Sequence, residues 1–225
     1  MPTNVGSFRR HKGSRPPASS ILIVTEGEIT EPVYFESLKR KFSLQTVEIA
    51  ILPAGKGDPR RLAEAALDEK RQRRKQAKAG QLGFSQATDY DELWIVFDTD
   101  VPLEHGRYHD GIGFASAKGV CSAESSPCFE YWLLLHREYT TTPMERFSNV
   151  KPRLEKALER SYAKNAEDAA TLIPPLFDDL ENAMIRAARV REHHASAATP
   201  SPPNPSTNVD RLITAIRNAA APANA

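Results

Sequence analysis

The sequence predicts an open α/β sheet, and three observations carry that expectation. Short apolar runs at residues 21–24, 47–52 and 93–97 alternate with stretches of helical period through the first 137 residues. One run, Leu93-Trp94-Ile95-Val96-Phe97, is apolar throughout, as a central strand covered on both faces must be. It stops abruptly at Asp98 and Asp100, and open α/β sheets keep their functional crevice at the carboxyl ends of the strands. Strands alternating with helices imply right-handed crossovers.

Residues 1–19 are polar and basic, end in a Pro-Pro pair and read as a flexible arm. Residues 21–24 form the first strand. Helix one follows with Thr30 as N-cap, Glu31 in its first turn and Pro32 near its start; Tyr34, Phe35, Leu38 and Phe42 make its apolar face. The second strand is 47–52, then a glycine-rich loop. Helix two begins near Pro59 with a stripe of Leu62, Ala63, Ala66 and Leu67. That stripe stops at Leu67 while helix formers continue to Gly80, so the second half should project into solvent with its basic cluster. The third strand is the central run. Next come a helix near 111–118 and a short strand at 120–122. A buried helix should follow with Pro127 at N1 and Ser125 or Ser126 as its cap. The remainder reads as helices at 151–162 and 176–194, a Pro/Ser-rich loop, and a last helix burying Val209, Leu212, Ile213 and Ile216. The expected division is a basic arm (1–19), an α/β domain (20–137) and a helical region packed on it (138–225).

Composition excludes several classes. The 30 basic and 29 acidic side chains leave a net charge of +1. No run approaches the roughly 18–20 apolar residues of a membrane span. Met1 to Ser20 lacks the apolar core of a secretory signal, so a cytoplasmic protein is expected. Cys121 and Cys128 are too far apart for CxxC chemistry and read as small core residues in a reducing compartment. The near-zero net charge conceals two basic clusters, one in the N-terminal arm and one containing Arg71, Arg73, Arg74 and Lys75. Each is either a solvated surface or a contact for nucleic-acid phosphates.

The candidate site residues are carboxylates. If the extended conformation persists past Phe97, Asp98 and Asp100 point to one side, and their repulsion calls for a hard cation such as Mg²⁺ or Mn²⁺; the alternative is an Asp that simply ends the strand before a turn. Glu26, just past strand one, lies at the same sheet edge, as third ligand or as general acid/base. Glu130 is the one charge in an apolar helix, so it either joins the metal or pairs with an Arg or His. Glu28 and Glu31 are weaker candidates, because a carboxylate also suits a helix N-terminus. His136 reads as a hydrogen-bonded core histidine or a catalytic one. His193 and His194 read as surface residues, and Gly55-Lys56-Gly57 as a turn or a phosphate contact.

The pairing of Glu26 after the first strand with Asp98-Thr99-Asp100 after the third resembles the TOPRIM domain. Within that group the chain looks like the RloB-like proteins. The matching stretches are Thr25-Glu26-Gly27-Glu28-Ile29-Thr30-Glu31-Pro32 with Tyr34-Phe35, and Trp94-Ile95-Val96-Phe97-Asp98-Thr99-Asp100. Ser126-Pro127-Cys128-Phe129-Glu130-Tyr131-Trp132-Leu133-Leu134-Leu135-His136 and Asn204-Pro205-Ser206-Thr207-Asn208-Val209 match as well. Thr99 stands where the family often has Arg, and Ser126 where Asn is common; neither change removes a carboxylate. The resemblance implies a TOPRIM-like fold and a role in prokaryotic defence against phage. It also implies Mg²⁺-dependent nuclease activity at Glu26, Asp98, Asp100 and Glu130, the first three holding the metal. Two other readings compete: a non-catalytic subunit binding nucleic acid, a second copy or a defence partner, and a phosphatase or glycosyltransferase. Val101-Pro102-Leu103 after Asp100 counts against a phosphatase.

Overall fold

The computed structural model describes residues 19–44, 47–55, 58–83, 86–100, 106–199 and 201–221. Its strands are β1 (Ser19–Thr25), β2 (Val47–Pro53), β3 (Glu92–Asp98), β4 (Val120–Ser126) and β5 (Ser206–Thr207). Its helices are α1 (Thr30–Lys41), α2 (Pro59–Lys78), α3 (Tyr108–Ala117), α4 (Phe129–Leu135), α5 (Phe147–Leu158), α6 (Ala166–Leu176), α7 (Leu180–Ser196) and α8 (Val209–Ala220). The strands form one sheet in the order β2-β1-β3-β4-β5, parallel except for β5. This is the TOPRIM-like α/β arrangement expected from the sequence.

The central run is apolar throughout because both of its faces are covered. Trp94 and Val96, with Ile21 and Ile23 of β1, face a core shared with α1, α4 and the C-terminal helices. Leu93, Ile95 and Phe97, with Leu22 and Val24, face α2 and α3. The alternation of side chains along each strand assigns them to the two cores. Asp58 caps α2 by accepting from the Arg61 N–H at 3.1 Å. The stripe of α8 is as expected: Val209, Leu212, Ile213 and Ile216 are at most 1% exposed.

Several local expectations fail, each for a visible reason. Thr30 is not a cap; it is the first helical residue of α1, and its hydroxyl meets the Tyr162 hydroxyl at 3.1 Å. Phe42 lies just beyond α1 and is 40% exposed. β4 runs four residues further than expected because it pairs with β3 as far as Ser125, opposite Asp98. Pro127 therefore precedes α4 instead of opening it, and Cys128 occupies the cap position in extended conformation. A two-residue β5 closes the far edge, where the composition suggested only loop. It leaves the start of β4 as a bare edge, so Cys121 is exposed while Cys128 is buried. Helix α6 was not anticipated, and the expected 176–194 helix begins after a short 3-10 turn. His194 is not a surface residue; it is 7% exposed, with Nε2 2.8 Å from the Pro205 carbonyl.

The basic half of α2 is also partly consumed within the fold. Arg73 is 6% exposed, pairs with Glu48 at 2.7 Å and donates to the Tyr90 hydroxyl at 2.6 Å. Arg74 pairs with Asp89, and Arg71 with Asp68. Lys75 is exposed. The basic arm lies outside the described residues, apart from Ser19, which opens β1.

Candidate functional site

The site grows from the ladder between β1 and β3. Beyond the last residue of β1, the Glu26 N–H still donates to the Val96 carbonyl at 2.9 Å, which holds Glu26 against the end of β3. Its carboxylate Oε2 then accepts from the Asp98 N–H at 3.1 Å. The next turn is fixed by the Thr25 hydroxyl, which donates to the Gly27 carbonyl at 2.8 Å. Gly27 leaves room for the carboxylate of Glu31: a Cβ there would lie 1.9 Å from Glu31 Oε2 and would push that side chain out of its place. Without one, the Gly27 N–H donates to Glu31 Oε1 at 3.2 Å, and Glu31 is folded back over the turn, 4% exposed.

Asp98 closes β3, and its Oδ1 accepts from the Phe129 N–H at 2.8 Å. Glu130, the next residue of α4, is fully buried. One of its oxygens accepts from the Tyr162 hydroxyl at 3.1 Å, and the Lys164 ammonium lies 3.0 Å from Oε1 and 3.2 Å from Oε2. Glu130 thus has the ionic partner a buried carboxylate needs, a lysine where an Arg or His was expected.

These groups feel one another. Burial first, then Glu31, Glu130 and Glu26, raise the Asp98 carboxyl well above the ordinary carboxylate range, and Lys164 opposes them. Burial, followed by Glu130 and Glu26, raises Glu31 to about 7 against a backbone hydrogen bond and Lys164. Burial lowers the Lys164 pKa, but Glu130 and Asp98 more than reverse this and hold it raised. The Cys128 thiol is held protonated by burial, Glu130 and Asp98. A cleft of about 360 Å³ opens onto the group, lined by Glu26 through Glu31 and by Lys164.

The structure therefore brings together Glu26, Asp98 and Glu130 of the expected residues with Glu31, one of the weaker candidates, and adds Tyr162 and Lys164. Asp98 and Asp100 follow the second of the two readings, a strand-ending Asp before a turn. β3 ends at Asp98, the Thr99 N–H supplies the last rung to the Ser125 carbonyl at 3.0 Å, and Asp100 is already helical. Strand alternation consequently does not carry Asp98 and Asp100 to one side. Glu28 borders the cleft, and Gly55 approaches it with φ +71°; Lys56 and Gly57 lie outside the described residues. His136 is a core histidine: Nε2 is 3.3 Å from the Tyr34 hydroxyl and Nδ1 is 3.0 Å from the Trp132 carbonyl.

The donor set consists of carboxylate oxygens, the type a hard divalent cation takes. In this arrangement, however, the carboxylates turn to internal donors, and among the described residues no three Asp, Glu, His or Cys side chains are grouped to hold a metal. No described helix is long and apolar enough to cross a membrane.

Comparison with curated proteins and comparison with solved structures each gave no match. The family model of RloB-like proteins matches residues 21–216, from the first apolar residues of β1 to the last buried residue of α8. The chain, with its acidic sheet edge and its C-terminal helices, belongs to the RloB-like family.

Proposed function

We propose that this chain is a cytoplasmic Mg²⁺-dependent nuclease that cleaves phosphodiesters of DNA or RNA in defence against phage, with Mn²⁺ able to substitute. The observation that carries the reading is the convergence of Glu26, Glu31, Asp98 and Glu130 on one edge, where burial first and then the neighbouring carboxylates raise the carboxyl pKa of Asp98 and Glu31. Such mutual repulsion favours uptake of a hard cation. Glu26 and Asp98 would hold it, with Asp100 from the following turn; when bound, it supplies charge neutralisation at the scissile phosphate. Glu31, at about 7, holds or releases a proton near neutral pH, as a general acid/base must. Nucleic acid would be drawn to the outer face of α2 by Arg71, Arg74 and Lys75, without Arg73, which points inward.

Asp98→Asn and Glu26→Gln test this. Each should lower metal-dependent cleavage of DNA or RNA roughly 100-fold or more with the fold intact by circular dichroism. Unchanged cleavage in both variants would overturn the nuclease reading.

A second reading, a non-catalytic subunit that binds nucleic acid or a defence partner, draws support from the internal donors already held by Glu26, Glu31, Asp98 and Glu130. Calorimetric titration separates the two: heat of Mn²⁺ uptake in wild type that is lost in Asp98→Asn favours the enzyme, and no uptake in either favours the subunit.

A further inference from the structure

A sheet edge with unpaired backbone groups is a template for another strand, and proteins ordinarily guard it with charge, proline or a bulge. β4 carries such an edge on the side away from β3. The Thr99 N–H bonds to the Ser125 carbonyl, so the odd-numbered residues of β4 turn their backbone groups toward β3. The even-numbered ones, Val120, Ser122, Glu124 and Ser126, turn theirs outward. Ser126 is met by β5, and the Glu124 carbonyl accepts from the Asn208 N–H at 2.9 Å. There the chain leaves the sheet and enters α8. The outward groups of Val120 and Ser122 meet no backbone partner among the described residues.

This free stretch lacks the usual guards. Val120, Cys121, Ser122 and Ala123 carry neither charge nor proline, and Gly119 before them has open space where a Cβ would stand. The opposite edge strand, β2, carries Glu48 and ends in Pro53. An open cleft of about 400 Å³ borders Val120, Cys121 and Ser122. Ile112 and Ser116 of α3 wall it on one face of the sheet, and Trp94 and Arg211 on the other. β5 shows that the same edge accepts an antiparallel strand, in line with the free positions.

We propose that the free edge of β4 pairs with the same edge of a second copy of this chain, antiparallel about a two-fold axis, joining two sheets into one. One register uses the free groups alone. Val120 of each copy exchanges both hydrogen bonds with Ser122 of the other, Cys121 stands opposite Cys121, and Gly119 lies opposite Ala123. A register that set Val120 against Glu124 would meet a carbonyl already held by Asn208. The charges agree with the same axis. Arg211 lines the cleft beside Cys121, and the Glu92 carboxylate lies close enough to act, after burial, on the Cys121 thiol. With the two Cys121 residues adjacent, the Arg211 of each copy is brought toward the Glu92 of the other. The shared strand is short, so the dimer is a weak one, with a dissociation constant in the micromolar range. The pairing stands apart from any reaction at the acidic crevice.

Sedimentation velocity over a micromolar concentration series, together with diamide oxidation of the full chain, tests this. The oxidation is run at mildly alkaline pH, because burial and then Glu92 raise the Cys121 thiol. Wild type should dimerise and form a Cys121–Cys121 cross-link, since Cα atoms of a non-hydrogen-bonded antiparallel pair lie about 4.5 Å apart, within disulfide reach. Diamide takes up the two protons and two electrons that the thiols release, and the buried Cys128 stays reduced. In Cys121→Ser/Ser122→Cys the cross-link should vanish while the dimer remains, because residue 122 faces residue 120. Cys121→Lys sets like charges face to face from an exposed position and should weaken dimerisation about tenfold or more. Ser122→Pro removes an outward N–H alone and should do the same, so either variant serves if the other fails to fold. A wild type that stays monomeric throughout the series overturns the proposal, and slow alkylation of Cys121 in that monomer would assign the edge to another segment of the same chain. A dimer indifferent to both substitutions, or one that gives no Cys121 cross-link, also overturns it by placing the contact on a different face.

Discussion

At neutral pH the His136 imidazole is uncharged, because burial disfavours the imidazolium and lowers its pKa from 6.5 to about 4. An unfolded chain protonates this ring as pH falls through 6.5, while the folded chain does so only near 4. The associated stability is fully present above 6.5 and is lost as pH falls toward 4, by about 3 kcal/mol over that window. Urea unfolding of wild type against His136→Gln between pH 7 and 4 should show the acid slope reduced in the variant. Among the acidic residues, Asp98 and Glu26 were legible because each ends a recognisable apolar run. Glu31 was legible only as a helix-terminal carboxylate, since the closure of the Gly27 turn over it is a three-dimensional fact. Lys164 and Tyr162 left no local trace. They are ordinary residues in a connection, and what they touch is set by the packing of α5 and α6.

Helix α2 shows why a charge run is a poor guide to a surface. Its period and the loss of its apolar stripe after Leu67 were readable, but the next stretch of chain, 86–91, folds back against it. Tyr90 and Glu48 thereby turn Arg73 inward, with the guanidinium also 4.6 Å above the Tyr90 ring. Arg73→Ala should cost about 2–3 kcal/mol in unfolding free energy, because it strands a shielded carboxylate and a buried phenol. Arg74→Ala, whose pair with Asp89 is exposed, should leave the unfolding midpoint unchanged and, in filter binding, weaken any nucleic-acid affinity. Equal effects of the two substitutions on stability would contradict the inward role of Arg73. β4 and α4 teach a similar lesson. The apolar sequence from Phe129 to Leu135 announced a buried helix, but the start of that helix depended on how far β4 could pair with β3, and sequence periodicity carries no such information.

Across the whole molecule, the packing is continuous on both sides of residue 137. One core joins Ile21, Ile23 and Trp94 to Val150, Ile173, Ala187 and Ile216, so α5 to α8 share their apolar interior with the sheet. The Arg191 guanidinium reaches Asp210 through both oxygens, at 2.7 and 2.6 Å, tying α7 to α8. Calorimetric unfolding should accordingly give one transition, and removal of residues 209–225 should unfold the entire chain, since Val209, Leu212, Ile213 and Ile216 leave together. A stable, folded product after that deletion would show the C-terminal region to be dispensable.

β5 has a consequence for synthesis. Ser206 and Thr207 complete the sheet against Ser125 and Ser126, and the Thr207 hydroxyl meets at 2.9 Å that of Ser125, the residue paired with Asp98. The ribosome makes these residues, and Lys164 before them, long after Glu26, Asp98 and Glu130 have emerged. A nascent chain consequently exposes an acidic edge with neither its ammonium nor this strand until residues 164 and 206–207 have been made. If the chain cuts nucleic acid, the order of its own manufacture delays that capacity until Ser206 and Thr207 have been made.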